Sequence, residues 1–585
     1  MNHFLSTLAV IWRLAIPYFR SDDRWPARAL LAAVVAIELS IVGINVLINQ
    51  WNARFYNALQ ERNWDSFVTE LLIFCALAAA YIVLAVYQLY LNQWLQIRWR
   101  RFLTRRYLGR WLADGIHYRM QLAGDAADNP DQRIAEDIKQ FIDGGSNGVG
   151  ILPIGLGLLN AVVTLGSFVI ILWGLSEAAP LTLFGWTIPG YLVWAALVYA
   201  IAGTLLTHLI GRPLTALNFN QQRYEADFRF NLVRVRENSE QIALLHGEAA
   251  ERERLLERFS AIVANWIRIM KRTKQLTFLT AGYSQASVVF PIVVVSPAYF
   301  AGQIQLGGLT QTASAFNSVQ SALSFFINVY RQFAEWRAVI ERLAGFEGAI
   351  AAAQAIGTTT PAIKITTGDA SELRLDGVEV TLPSGKPLVA AEGVTIAPRD
   401  EVLVTGPSGA GKSTLFRAIA GIWPFGTGTV RVPKGAKALT LPQRPYLPIG
   451  TLEAAISYPS EPGTFDADRI RELIGAVGLP AMAQRLEERA HWNRMLSLGE
   501  QQRLGIARAI LQAPDFLFLD EATASLDEPA EAALYQLLKQ RLPNTTVVSI
   551  GHRSTLTAFH RRGLRLERDG EIYKVKETAL APAAS

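Results

Sequence analysis

The sequence predicts a multidomain protein, in which an all-α domain of six membrane-spanning helices precedes a soluble α/β domain. Hydrophobic residues make up 51% of the 585 residues and charged residues only 18%, whereas soluble domains average about 25% charged residues. Apolar, charge-poor stretches long enough to cross a bilayer occur in the first 330 residues. Short β-like runs replace them from residue 373 onward. The all-α domain and the α/β domain are therefore predicted to follow one another along the chain.

The six spans are predicted from stretches of about 20 or more apolar residues, the length that a hydrocarbon core of about 30 Å requires. The last stretch is long enough for two spans, because Gly and Gln residues near its middle predict a turn. An amphipathic helix within residues 1–28 is predicted to lie at the membrane interface before the first span. The predicted spans occupy residues 29–53, 71–97, 146–176, 178–211 and, for the last two, 275–330.

Arginine residues set the predicted orientation of the spans. The loops that begin at residues 98 and 212 are long and basic, whereas residues 177–189 and 301–309 contain neither Lys nor Arg. Positively charged loops stay on the cytoplasmic side, so both termini and two long helical extensions are predicted to be cytoplasmic. These loops also account for the net charge of +6, so membrane lipids are predicted partners and nucleic acid is not.

Glu38 is the only charged residue of the first predicted span. An ionisable group inside a span normally faces a cavity or a partner. Asn45 and Asn49 continue a polar stripe along the same helix. Two interpretations stay open: Glu38 lines a cavity and binds cargo or protons, or it forms hydrogen bonds between helices.

The domain boundaries are predicted from a change in composition. Residues 349–371 are rich in Ala, Thr and Gly, which is typical of a connector. We therefore expect a membrane domain at residues 1–348, a linker at 349–371 and an α/β domain at 372–585.

Residues 406–414 match the phosphate-loop pattern GxxxxGK[ST] and lie between a strand-like run and a helical run. Glycines let backbone N–H groups surround phosphates, Lys412 supplies a cation, and Ser413 supplies a hydroxyl ligand for Mg²⁺. The pattern therefore predicts a site for ATP and Mg²⁺ formed by Gly406, Pro407, Ser408, Gly409, Ala410, Gly411, Lys412, Ser413 and Thr414.

The apolar run at residues 516–519 ends in two acidic residues, Asp520 and Glu521. Continuous apolar runs of this kind are typical of strands buried on both faces. Asp520 is expected to hold Mg²⁺, directly or through water, and Glu521 to orient and deprotonate the attacking water. These residues predict ATP hydrolysis.

With these motifs in place, the α/β domain resembles an ABC nucleotide-binding domain. The resemblance implies that Gln443 contacts Mg²⁺, that residues 524–527 form the family's D-loop, and that His552 is the switch histidine beside the γ-phosphate. The family signature LSGGQ corresponds to residues 496–500. It implies that Ser497, Gly499 and Glu500 contact nucleotide bound by a second subunit.

The signature departs from the family pattern at two positions. Leu498 replaces a glycine that permits close backbone approach. Glu500 replaces a neutral glutamine, and its charge is expected to repel the γ-phosphate, so hydrolysis is expected to survive but to be slow. Residues 378–383 also contain no aromatic side chain to stack on adenine, which leaves the selectivity for the base open.

Four further stretches resemble the SbmA/BacA-like ABC transporters of bacteria, which are relatives of the peroxisomal acyl-carrying half-transporters. They are residues 49–60, 128–137, 237–248 and the pair Trp423–Pro424. The resemblance implies an ABC exporter-type fold, a homodimer in the inner membrane, and a large water-filled cavity. It also implies hydrophilic cargo, such as peptides or cobalamin-like compounds, often moved inward.

A dimer is also expected on mechanistic grounds, because one phosphate loop and one signature cannot face each other within one domain. Residues 129–138 are proposed to contact the ATPase surface around Gln443; a helix-capping turn is the alternative. Two other functions stay open beside transport of hydrophilic solutes: transport of lipid or acyl-CoA, and an ATP-gated channel or sensor without active transport.

Overall fold

The computed structural model describes residues 2–122, 129–145, 148–180, 182–183, 186–356 and 362–579. The chain divides into two units. The first contains Met1–Tyr107 and Asn129–Gly345, and the second contains Leu108–Asp128 and Phe346–Ser585.

Long helices dominate the first 355 residues, as expected for apolar segments whose backbone groups must all be satisfied within the segment. A 3₁₀ turn at Ala113–Gly115 and a π-helical turn at Arg133–Asp137 interrupt them, and β1 (Thr182–Leu183) pairs with β2 (Trp186–Thr187). The helices are α1 (Asn2–Phe19), α2 (Arg24–Gln60), α3 (Trp64–Leu112), α4 (Ile116–Leu122), α5 (Pro130–Gln132), α6 (Ile138–Asp143), α7 (Ile151–Ala178), α8 (Tyr191–Glu237), α9 (Ser239–Leu244), α10 (Glu248–Phe300) and α11 (Leu306–Ala355).

In the described part of the chain, five helical segments are long and apolar enough to cross a membrane: α2, α3 with α4, α7, α8 and α10. The sixth predicted span coincides with α11, which has 50 residues but is not apolar enough to join that set. Polar residues such as Gln311, Asn317 and Gln320 account for the difference. The break between α10 and α11 coincides with the turn predicted near residues 301–309.

Several of these helices expose large apolar side chains. Ile82 and Leu89 on α3 are 60% and 61% exposed, and Val198 and Leu209 on α8 are 65% and 70% exposed. Surfaces this apolar are rare on soluble monomers. They fit contact with lipid, where the helices satisfy their own backbone groups.

Polar side chains of α2 connect it to three other helices. Glu38 is 7% exposed; its Oε1 accepts from Asn160 Nδ2 on α7 (2.6 Å), and its Oε2 accepts from Gln88 on α3. Asn49 donates to the Gln311 carbonyl of α11 (3.0 Å). In this conformation Glu38 therefore forms hydrogen bonds between helices, which is one of its two predicted roles, whereas Asn45 is exposed.

The second unit contains a mixed sheet. Within the described residues eleven strands form it, in the order β3-β8-β4-β5-β15-β14-β7-β13-β12-β9, with β6 paired to β4. A parallel part, β14-β7-β13-β12-β9, carries the functional motifs. The strands of this sheet are β3 (Lys364–Gly368), β4 (Leu373–Thr381), β5 (Pro387–Ala391), β6 (Val394–Ile396), β7 (Glu401–Thr405), β8 (Gly426–Pro433), β9 (Ala438–Leu441), β12 (Phe516–Asp520), β13 (Thr546–Ile550), β14 (Arg562–Asp569) and β15 (Ile572–Thr578). Strands β10 (Gly450–Thr451) and β11 (Arg489–Ala490) pair with each other in a separate two-stranded sheet.

The first four residues of strand β12, Phe516 to Leu519, are all apolar, and their surroundings explain why. Leu517 and Leu519 belong to one buried cluster, and Phe516 and Phe518 belong to another. Because successive side chains of a strand point to opposite faces, both faces of β12 lie in cores. The helices that follow α11 along the chain are α12 (Lys412–Ile419), α13 (Leu452–Ser457), α14 (Ala467–Ala476), α15 (Trp492–Met495), α16 (Leu498–Gln512) and α17 (Glu528–Arg541).

Ordered elements enter the predicted linker from both sides. Helix α11 continues to Ala355, and β3 begins at Lys364. Leu122, at the end of α4, packs against the buried cluster that contains Phe416 and Phe518. A short part of the first basic loop therefore belongs to the second unit. Residues 129–138 belong to the first unit, and their contact with the ATPase domain stays a prediction.

Candidate nucleotide site

Four parallel strands place four predicted motifs at one edge of the sheet. Strands β7, β13, β12 and β9 are consecutive neighbours, and carboxyl ends of parallel strands meet at the same edge, where ligands of open α/β sheets bind. The phosphate loop follows β7, His552 follows β13, Glu521 follows β12 and Gln443 follows β9. The sheet topology therefore brings together residues that are far apart in sequence.

The phosphate loop has the backbone that its glycines predict. Gly406, Gly409 and Gly411 have positive φ angles of 147°, 78° and 89°, of which the left-handed values favour glycine strongly. A Cβ atom on Gly411 would lie 2.5 Å from Val389 Cγ2 and 2.8 Å from Leu388 Cγ. Pro407, Ser408 and Gly409 are exposed, whereas Ala410 is buried.

Helix α12 begins directly at the end of this loop. Lys412 is 6% exposed, and its Nζ donates to the Gly406 and Pro407 carbonyl oxygens at 2.9 Å each. Ser413 Oγ donates to Asp520 Oδ1 at 2.7 Å, and Thr414 follows, half-buried. The helix N-terminus therefore presents a cation and a hydroxyl–carboxylate pair next to the loop.

These groups fit a nucleoside triphosphate with Mg²⁺. Mg²⁺ in nucleotide sites is commonly held by one or two protein oxygens together with phosphate oxygens, and Ser413 Oγ and Asp520 Oδ1 lie close enough to serve as such a pair. Backbone N–H groups of the loop and of the α12 N-terminus favour anions. ATP would supply the bond to be broken, Lys412 would hold the phosphates, and Ser413 and Asp520 would hold the metal.

Glu521 lies between two other predicted residues. Its Oε1 is 3.3 Å from His552 Nε2, and its Oε2 accepts from Gln443 Nε2 at 3.3 Å. Glu521 also has a φ of 51°, an uncommon conformation for a residue with a side chain, and such strain is often found at active sites. The three side chains could position a water molecule for attack on phosphate.

Burial shifts the ionisation of two groups in this cluster. Burial lowers the pKa of Lys412, and the charges of Glu521 and Asp520 partly oppose that effect. Burial raises the pKa of Asp520, whereas the hydrogen bond from Ser413 opposes the rise. Burial therefore makes the charged forms of both Lys412 and Asp520 more costly when no ligand is bound. Phosphate would stabilise the charged Lys412, and Mg²⁺ would stabilise the charged Asp520.

The predicted signature residues form the start of helix α16. Ser497 is the N-cap, and its Oγ accepts from the Glu500 backbone N–H (3.3 Å). Glu500 Oε2 in turn accepts from the Ser497 backbone N–H and from Ser497 Oγ, at 2.8 Å each. The Glu500 carboxylate thereby completes a capping box, a role that the S-x-x-E spacing itself indicates. Its expected effect on phosphate bound by a second subunit stays a prediction.

Gly499, the other predicted signature residue, lies next to the D-loop. A Cβ atom at this position would be 3.2 Å from Leu526 Cδ2 and 3.5 Å from the Ser525 carbonyl oxygen. A side chain there would require its neighbours to shift. The signature helix and the D-loop are therefore closely packed within one domain.

Residues not predicted from the sequence hold the D-loop in place. Arg553 donates to the carbonyl oxygens of Leu526 (2.6 Å) and Ala524 (3.1 Å), and it lies 3.5 Å from the buried carboxylate of Glu531. Glu531 also accepts from Thr523 Oγ1 at 2.6 Å. Arg553 directly follows His552, a predicted site residue, but its partners could not be identified from the sequence.

Comparisons with known proteins agree with this geometry. Residues 13–300 match the family model described as ABC transporter transmembrane region 2, and residues 393–524 match the model described as ABC transporter. An uncharacterized ABC transporter ATP-binding protein of Haemophilus influenzae is 37% identical over 92% of this chain and 88% of its own length. The inner membrane ABC transporter ATP-binding protein YddA of Escherichia coli is 34% identical over 92% of this chain and 93% of its own length.

Two more distant proteins also match along most of the chain. The lysosomal cobalamin transporter ABCD4 of Mus musculus is 26% identical over 97% of this chain and 95% of its own length. The solved structure of a bacterial Atm1-family ABC exporter with ATP bound has a TM-score of 0.68 at 17% identity, covering 93% of this chain and 94% of that one. At that identity the structural match shows the fold alone.

Proposed function

Because this chain belongs to the ABC transporter family, with an ATPase domain that drives transport, we propose that it carries hydrophilic solutes across a bacterial inner membrane as a homodimer. The cargo class comprises peptides and cobalamin-like compounds, and the direction is inward. A place in the inner membrane is supported by the likeness to YddA. A cobalamin-like cargo is supported by the likeness to ABCD4, and the stretches that resemble SbmA/BacA-like transporters support peptides.

The observation that carries the proposal is the gathering of the ATPase groups on a chain with several membrane-spanning helices. Two groups of side chains lie at the same sheet edge. In one, Ser413 contacts Asp520, and in the other, Glu521 contacts both His552 and Gln443. We assign Glu521 as the general base, and His552 and Gln443 as the groups that orient water and metal.

The polar character of the membrane domain favours hydrophilic cargo over lipid. Glu38 lies between helices and not at the lipid-exposed surface, and α11 is too polar to be a typical lipid-facing span. Polar groups inside a membrane domain commonly mark pathways for polar solutes.

The test is ATP-dependent transport in membrane vesicles of both orientations. Inward transport predicts that right-side-out vesicles loaded with ATP and Mg²⁺ accumulate labelled cobalamin or a labelled proline-rich peptide. Replacing the general base, Glu521→Gln, is expected to abolish both hydrolysis and accumulation, with a loss of at least about a hundredfold in turnover. Glu571→Gln, an acid-to-amide change at an exposed turn of the same domain, is the matched control.

Each alternative gives a different result in this experiment. Accumulation only in inside-out vesicles with external ATP would contradict import, and ATP-dependent movement of acyl-CoA but of neither polar solute would contradict the cargo class. Solute flux that persists unchanged in Glu521→Gln would support an ATP-gated channel. Turnover that persists in Glu521→Gln would remove the assignment of the base.

A further inference from the structure

We propose that Gln502 is a positioning residue for ATP hydrolysis, which acts by fixing the relative positions of the loops that carry Gln443, Glu521 and Ser525. The inference rests on the proposed roles of Gln443 and Glu521 in hydrolysis. Gln502 itself is too deeply buried to be assigned a contact with nucleotide, since it is only 1% exposed.

The side-chain amide of Gln502 contacts three separate loops. Its Nε2 donates to the Gln443 carbonyl oxygen at 2.9 Å and lies 3.5 Å from the Glu521 carbonyl oxygen. Its Oε1 accepts from the Ser525 backbone N–H at 3.0 Å. An amide group has two N–H donors and one acceptor oxygen, so these contacts use both kinds of group.

These loops need an external support. Gln443 is exposed, and its side chain meets Glu521 only through a 3.3 Å contact. Glu521 holds a strained backbone, with φ of 51°, and such a conformation persists only when its surroundings impose it. The buried amide of Gln502 contacts the backbone carbonyl oxygens of both Gln443 and Glu521. It can therefore set the distance between these two residues.

The helix that carries Gln502 adds a second consequence. Helix α16 begins at the signature, with Ser497 as its N-cap, and Gln502 lies in the second turn of the same helix. If α16 moves, the side-chain amide of Gln502 moves with it. Its hydrogen bonds would then displace the loops that carry Gln443, Glu521 and Ser525. Misplacement of a catalytic group by about 1 Å can lower a rate about a hundredfold.

Gln512 offers a matched control on the same helix. Its Nε2 donates to the Ser457 carbonyl oxygen at 2.9 Å and to Ser460 Oγ at 3.1 Å. Like Gln502, it ties α16 to a neighbouring loop through its amide, but its partners carry none of the nucleotide-site motifs. A purely structural role for Gln502 predicts similar effects of substitution at both positions.

The experiment compares Gln502→Met, Gln512→Met and Glu521→Gln in the full-length protein. Methionine is unbranched and of similar size, so it removes the polar contacts with little change of volume. For Gln502→Met we expect kcat, expressed per site that binds ATP, to fall about tenfold to a hundredfold, while the KM for ATP stays within about twofold of the wild type. For Gln512→Met we expect an unchanged kcat per site.

Thermal unfolding of each variant and titration of ATP-binding sites separate positioning from damage to the fold. Equal kcat per site in Gln502→Met and the wild type would overturn the inference, as would a parallel loss in Gln512→Met. If Gln502→Met does not fold, Gln502→Asn, which keeps the amide but shortens its reach, takes its place with the same expectation. If Glu521→Gln loses turnover while the Gln502 variant keeps normal turnover, this inference is wrong and the proposed function stands. If Glu521→Gln keeps full turnover, the proposed function itself is contradicted.

Discussion

Among single residues, the phosphate-loop glycines at 409 and 411 have similar backbones, with φ of 78° and 89°, but different surroundings. A Cβ atom on Gly409 would meet nothing within 4 Å, whereas one on Gly411 would press on Val389 and Leu388. Both substitutions to alanine force a side chain into the left-handed region, but only one of them also creates a clash. The pair therefore separates backbone strain from packing.

We expect Gly409→Ala to lower the free energy of unfolding by about 1 kcal/mol, from backbone strain alone. Gly411→Ala is expected to cost about 1–3 kcal/mol more, because the β5 side chains must shift. Chemical unfolding of the full-length protein in detergent, with bound ATP omitted, measures the difference. Equal stabilities of the two variants would show that the contact with Val389 and Leu388 is not tight.

At the scale of single elements, the start of α16 shows how a residue that departs from the family pattern can be accommodated. The Glu500 carboxylate accepts from the Ser497 backbone N–H and hydroxyl, and a negative charge in the first turn is favourable to the helix dipole. The same contacts engage the Ser497 hydroxyl, which the family resemblance assigns to nucleotide. Stability of the helix and availability of the serine are therefore opposed at this position.

Restoring the family residue with Glu500→Gln should separate these two effects. We expect the free energy of unfolding to fall by about 0.3–1 kcal/mol, because the charge is lost while an acceptor oxygen remains, and ATP turnover to rise, because like-charge repulsion of phosphate is removed. Glu500→Ala removes the capping partner and is expected to cost about 1 kcal/mol. Glu528→Gln, in the first turn of α17, controls for the dipole effect, and turnover that falls in Glu500→Gln would contradict the repulsion argument.

The elements that could be predicted from the sequence are those encoded within a few consecutive residues. The phosphate loop is such a case, because its backbone binds phosphate through neighbouring residues, and β12 is another, because burial on both faces requires a continuous apolar run. The partners of Gln502 lie 59, 19 and 23 residues away, so no local pattern could identify them. The Glu500 contacts are local, and the S-x-x-E spacing of residues 497–500 is sufficient to indicate them.

At the scale of the whole molecule, the proposed homodimer determines how the nucleotide-site motifs would be shared between two chains. The phosphate loop, Asp520 and Glu521 gather at one sheet edge, while Ser497 forms a capping box at the start of α16. If the signature of one subunit completes the nucleotide site of the other, each site needs Lys412 from one chain and Ser497 from its partner. That requirement can be tested by distributing the same two substitutions in different ways.

Two mixed dimers, isolated with different affinity tags on the two chains, contain identical substitutions in different arrangements. In the first, one chain carries Lys412→Ala and the other Ser497→Ala, so one composite site contains both lesions and the second site is intact. In the other, one chain carries both substitutions beside a wild-type chain, so each composite site contains one lesion. We expect ATP turnover to persist in the first dimer and to be lost in the other, because removing the cation or the serine weakens the stabilisation of phosphate at that site. Equal turnover in the two dimers would exclude sites shared between subunits, and turnover only in the second would require Lys412 and Ser497 to act within one chain.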